Sequence, residues 1–198
     1  MHRRTAVAGV LLAASALTAC GGGRLTAGTA AVLDGRRIPV GAVEARVAEL
    51  RHPAGGASAD ARQQPDGLAR RAVADLVLDA VVARAVVDHG LAVGGAEVAV
   101  ARATDEERYG GAGVLARALA AQGVPGSGID DYYRRRLGIR HLAAAAGQDA
   151  GTSAGDATVR LALADAATAL HLRINPRYGT WNPTRVALLP DTPPWLAP

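Results

Sequence analysis

One segment constrains this chain more than any other. Between residues 67 and 89, apolar side chains such as Leu68, Val73, Leu76, Val77, Val81, Val82 and Val86 recur with few breaks. A helix that is apolar nearly all round must be covered on most sides. The pattern predicts a long central helix over 67–89, capped by Asp66 and closed by Gly90 in the left-handed position. Leu76, Val77 and Ala80 are its expected buried centre. Composition agrees with a body built around such a helix. Apolar types make up 49 % of the 198 residues, yet aromatics are 3 % and Phe is absent, so the core must be Ala, Val and Leu. That suits close-packed helices better than a sandwich, which draws on β-branched and aromatic residues.

The inventory excludes several chemistries. All 22 basic residues are Arg, against 18 acidic residues. Without Lys, phosphate-loop and Schiff-base chemistry are excluded. With Arg3 and Arg4 assigned to a leader, the balance is 20 basic to 18 acidic, which suits no nucleic-acid partner. The single cysteine, Cys20, permits no disulfide framework and no multi-thiolate zinc site. No cofactor and no metal are expected. Ser127 reads as a helix cap and Ser153 as part of a linker, neither with the context of a nucleophile. The run Asp105-Glu106-Glu107 reads as a solvated last turn, and His141 as a surface or boundary residue.

The first residues carry an address. His2-Arg3-Arg4 is a positive start, and Ala6 to Leu17 is an apolar run too short to span a bilayer, which takes about 20 residues. Leu17-Thr18-Ala19-Cys20 then has the form of a bacterial lipobox, followed by three glycines. The reading makes 1–19 a signal peptide, Cys20 the lipidated N-terminus and 20–28 a tether. The mature chain is then expected at the extracytoplasmic face of the cell membrane, held by acyl chains contributing about 0.8 kcal/mol per buried CH₂.

The rest divides into a domain over 29–183 and a Pro-rich tail over 184–198. Residues 29–33 read as a strand, Asp34-Gly35 as a type I′ turn, and 36–38 as its return. Pro39 opens a helix that ends at His52-Pro53, before a Gly/Ala/Ser/Gln loop over 53–65. Further helices are expected from Gly94 or Gly95 to about Arg108, over 112–121, over 128–146 opened by Ser127 and Asp130, and after a 147–155 linker from Asp156. Ile129, Tyr133, Leu137 and Leu142 line the third of these. Arg134, Arg135, Arg136 and Arg140 read as its solvated face, or as a patch for headgroups or an acidic partner. His171–Ile174 alternates like a strand, with Leu172 and Ile174 inward. It is expected to join the first hairpin, and Val186–Leu189 is a further strand candidate. The fold class is mainly α, with a small sheet formed by the chain ends.

This layout resembles the N-terminal chaperone domain of the SurA/PrsA family of extracytoplasmic foldases. The matching segments are Ala30 to Ile38 (AAVLDGRRI), Val93 to Val98, and the series Leu119, Gln122, Gly123, Asp130 or Asp131, and Arg136. INPRYGTWNP at 174–183 resembles the closing segment of actinobacterial lipoproteins that carry this domain. The likeness covers roughly 29–183. It departs from the larger foldases in one respect: only Gly147–Gly155 stands where their parvulin isomerase domain is inserted. The resemblance implies a SurA N-terminal-like helical module without isomerase activity, and not an enzyme. Its partners would be unfolded or secreted polypeptide clients; the alternative is one fixed protein of the cell envelope. Candidate peptide-binding residues are Tyr133, Arg177, Tyr178 and Trp181. The last two read either as staples for the C-terminal segment or as one wall of a groove.

Overall fold

The computed structural model describes residues 25–52 and 65–190. Cys20 and the expected signal peptide over 1–19 lie outside the described residues, as do most of the 53–65 loop and the tail beyond 190.

The chain opens with a hairpin of β1 (Thr29–Leu33) and β2 (Arg36–Pro39). Asp34 and Gly35 at its turn both have positive φ, 47° and 78°, as a type I′ turn requires. Six helices follow. They are α1 (Val40–Arg51), α2 (Pro65–Asp88), α3 (Gly95–Tyr109), α4 (Ala112–Ala121), α5 (Ile129–Ala145) and α6 (Ser153–Ala169). The chain closes with β3 (Arg173–Ile174), a 3₁₀ turn over Pro176–Tyr178, and a second hairpin of β4 (Thr180–Asn182) and β5 (Ala187–Leu189). The domain is mainly helical, with two small sheets.

The first sheet has the order β2-β1-β3, so the start and the end of the fold meet as the alternation predicts. β3 runs antiparallel to β1, pairing Ala31 with Ile174 and Val32 with Arg173. Leu172 and Ile174 pack on the core while His171 and Arg173 are exposed. The strand is shorter than expected because His171 has φ of 46°, outside the extended region. Asn175 tightens the join: its N–H donates to the Ala30 carbonyl at 2.8 Å, and its Nδ2 donates to that of Thr29 at 3.1 Å.

α2 is the central helix, packed against α1, α5, α6 and β1. It begins at Pro65, where a proline costs no helical hydrogen bond, so Asp66 is inside the first turn and not its cap. Val73, Val77 and Val81 are fully buried, but Leu76 and Ala80 are only half-buried, against expectation, and Val87 is exposed. The reason is that α2 shares its circumference between apolar neighbours and an ionic seam with α5, described below. α5 approaches α2 closely at Gly138. A Cβ there would come within 2.8 Å of a Val82 methyl and 3.0 Å of a Val86 methyl.

Two expected caps are otherwise engaged. Gly128 occupies the cap position of α5, while the Ser127 N–H and hydroxyl both donate to the Glu49 carboxylate of α1, at 2.9 and 2.7 Å. α6 starts earlier than expected: its cap is Thr152, whose Oγ1 accepts from Gly155 N–H at 3.0 Å. Asp156 falls in the first turn, where its charge complements the helix dipole. At the other end, the β4–β5 hairpin carries the folded chain past residue 183. Leu188 is buried in the main core, and Leu189 places its carbonyl where any side chain at Gly179 would collide.

Candidate functional site

The described apolar interior falls into two clusters. The larger joins β1, α1, α2, α6 and the closing segment; the smaller consists of Val98, Leu115, Leu119, Ile129, Tyr133 and Leu137. The four candidate peptide-binding residues divide between them. Tyr178 is 4 % exposed in the larger cluster, and Trp181 packs half-buried against it. Arg177 is exposed and lies over the Tyr178 ring, 4.9 Å from its centroid. Among the described residues the buried indole Nε1 of Trp181 finds no acceptor. Tyr133, 1 % exposed, belongs to the smaller cluster. The structure brings 177, 178 and 181 together and places Tyr133 elsewhere, with both tyrosine rings turned inward.

The helix run around Tyr133 is more informative. Its hydroxyl donates to Asp105 of α3 at 2.9 Å, with the Tyr132 ring edge-on at 5.3 Å. Burial, reinforced by the Asp105 carboxylate, pushes the Tyr133 phenol well above its ordinary range. Asp105 also lies 3.3 Å from Arg136 and 3.6 Å from Arg108. It is 15 % exposed and therefore not the solvated last-turn acid that its sequence context suggests.

The arginines of α5 have different fates. Arg134 pairs with Asp131 at 2.9 Å on the surface. Arg135 does not belong to a solvated face: it is 15 % exposed and reaches across to α2, 2.6 Å from Asp79 and 3.6 Å from Asp75. Arg46 of α1 completes this seam, 3.6 Å from Asp79 and 3.2 Å from Asp131. Burial raises the Asp79 carboxyl above the usual range, outweighing the opposing pull of Arg135 and Arg46. Arg136 and Arg140 project one turn apart along α5.

Those two arginines separate two surface clefts. One, of about 290 Å³, runs between α3 and α5, with Val100, Ala101 and Leu137 among its apolar lining and Arg108 and Glu97 among its charges. The other, of about 490 Å³, is lined by Tyr132, Ile139 and the Asp149–Gly151 turn; Arg136 and Arg140 line both. His141, at the edge of the first, has Nε2 2.8 Å from Glu97 and Nδ1 3.2 Å from the Ala92 carbonyl. Sequence reasoning singled out the α5 arginines but not Arg108, Glu97 or Val100. The available signal was the four-residue spacing of Val100, Thr104 and Arg108, which puts them on one face of α3.

Among the described residues, no group of three or more His, Cys, Asp or Glu side chains is placed to hold a metal ion, and no helix is long and apolar enough to cross a membrane. Comparison with protein-family models, with curated proteins and with solved structures finds no match to this chain.

Proposed function

We propose that this chain is a lipid-anchored accessory module at the outer face of a bacterial cell membrane, and that it holds one envelope protein through the α3–α5 side without chemistry of its own. The observation that carries this reading is the form of the exposed surface around α5. Its clefts are small and edged by charge, with volumes of about 290 and 490 Å³. A binder of many unfolded clients draws instead on a broad apolar face. The aromatic residues suited to such a face, Tyr133 and Tyr178, are buried. The lipobox ending in Cys20 supports the anchor.

The chaperone reading, a SurA N-terminal-like module for secreted clients, keeps one specific support. It is the resemblance carried by Ala30 to Ile38, a short hairpin that stands before the helices.

A photo-crosslinking amino acid placed at Thr104, exposed beside the first cleft, and separately at Arg160, exposed on α6, separates the readings in living cells. The accessory reading predicts one discrete protein adduct from position 104 and none from 160. A smear of adducts of many sizes from position 104 would favour the chaperone, and no adduct from either position would refute both.

A further inference from the structure

We infer that the ridge formed by Arg136 and Arg140 is a docking site for an acidic, extended polypeptide segment, with Arg140 as its principal anchor. This rests on the partner-binding reading above and adds the chemistry of the partner.

The argument is an account of which charges are already used. Glu97 is engaged by His141, and Asp105 by Tyr133, Arg136 and Arg108. Asp149 accepts the Gly151 N–H at 3.1 Å. The carboxylates lining the two clefts are thus all committed within the chain. One of the arginines is not. Arg134, Arg135 and Arg136 each have a carboxylate within 4 Å, while Arg140 has none among the described residues. The surplus in the clefts is therefore cationic, and it sits on an exposed side chain shared by both.

Shape selects the kind of anion. The guanidinium stands between two concavities, each with apolar wall: Val100, Ala101 and Leu137 on one side, Tyr132 and Ile139 on the other. A chain whose acidic residue meets Arg140 and whose apolar neighbours enter the flanking clefts satisfies both features. A planar guanidinium binds a carboxylate through two parallel N–H···O bonds, which fixes direction as well as affinity. A bilayer surface offers headgroup charge but nothing to fill two clefts flanking one arginine ridge.

Fluorescence anisotropy with the full mature chain in detergent micelles tests this. The probe is a fluorescein-labelled decapeptide of alternating glutamate and leucine; its glutamine–leucine counterpart is the control. The glutamate peptide should bind saturably and more weakly as salt is raised. Arg140→Gln should weaken it about tenfold, with Arg140→Lys between that variant and the parent and Arg160→Gln unchanged. Arg140 touches no carboxylate among the described residues, so its variants should keep the parent unfolding midpoint. Equal binding of the two peptides, or binding indifferent to Arg140→Gln, would overturn the inference. So would Arg140-dependent binding to phosphatidylglycerol vesicles with none to the peptide, which would assign the ridge to the membrane. A discrete crosslink from position 104 that survives Arg140→Gln would leave the partner reading standing and this inference refuted.

Discussion

The two apolar clusters of this domain are built in opposite ways. The larger is made from pieces remote in sequence. Thr29 and Asn175, whose backbone and amide are hydrogen-bonded, lie 146 residues apart. Its side chains are almost all Ala, Val and Leu, and its largest plate, Tyr178, is delivered by the closing segment. The smaller cluster is local. Every buried member lies between Val98 and Leu137, on two short-connected helices and one face of α5. Its polar edge, Asp105 with Tyr133, opens into the first cleft. The difference suggests a division of labour. The remote contacts hold the chain in one fold, while the local unit presents a surface at modest cost to that fold. Local units of this kind open at lower free energy than the core they rest on.

The harshest way to break the comparison is to delete residues 171–198. This removes β3, Tyr178 and the Leu188 hairpin, leaving β1 and β2 as a lone hairpin of marginal stability. The expected outcome is loss of a cooperative thermal transition with helical circular dichroism partly kept, as in a molten state. A truncated chain with the parent midpoint would make the closing segment an appendage.

Two glycines sharpen the contrast. Gly138→Ala forces a methyl against Val82 and Val86, both buried and unable to swing away. Overpacking of about 1–3 kcal/mol exceeds the gain of about 1 kcal/mol in helix propensity, so urea denaturation should show a net loss. Gly113→Ala lies in α4 of the smaller unit, where the nearest atom is a flexible Arg117 nitrogen at 3.7 Å. There the propensity gain should appear almost whole, as a small stabilisation.

Tyr133→Phe should cost about 0.5–1.5 kcal/mol, the net worth of one hydrogen bond. Asp105 keeps Arg136 and Arg108 beside it, so no charge is stranded. Equilibrium denaturation at neutral pH measures this; a loss above about 3 kcal/mol would mean that the pair organises the whole smaller unit.

The smallest effect is in the slope of stability with pH. The Asp79 carboxyl titrates higher in the fold than its ordinary 3.8, chiefly because it is buried. The folded chain then holds a proton that the unfolded chain has already released. This stabilisation is complete below 3.8 and is lost as pH rises through the folded value. Asp79→Asn should remove that decline from the stability profile as pH rises above 3.8, which a series of urea midpoints would show.

Much of the larger region was legible in the sequence because its signals are local rules. Asp34-Gly35 specifies the turn, and the alternation of Leu172 and Ile174 specifies which face of β3 is inward. The stripe Val159, Leu163, Ala167 and Leu170 specifies the buried face of α6. The ends of elements were harder, since Thr152 and Asp156 both have capping chemistry and only the path of the chain decides between them. The candidate site was the least legible. Arg134, Arg135 and Arg136 look alike in a row, yet successive residues on a helix point about 100° apart. One of the three therefore faces α2 and is consumed by Asp79, another faces α3, and their fates follow from neighbours that sequence proximity does not reveal. Asp105 was misjudged for the same reason: Tyr133, which covers it, lies 28 residues away.

Native-state hydrogen exchange, read residue by residue on the full chain, tests the division between the two regions most directly. The amides of β1 and of α2 around Val77 should exchange only through global unfolding, with the denaturant dependence of the whole chain. Those of α3 and α4 should exchange through a smaller opening, at a free energy lower by about 2 kcal/mol or more and with a shallower denaturant slope. A single free energy and slope shared by α2, α3 and α4 would contradict the account, because the domain would then be one cooperative unit.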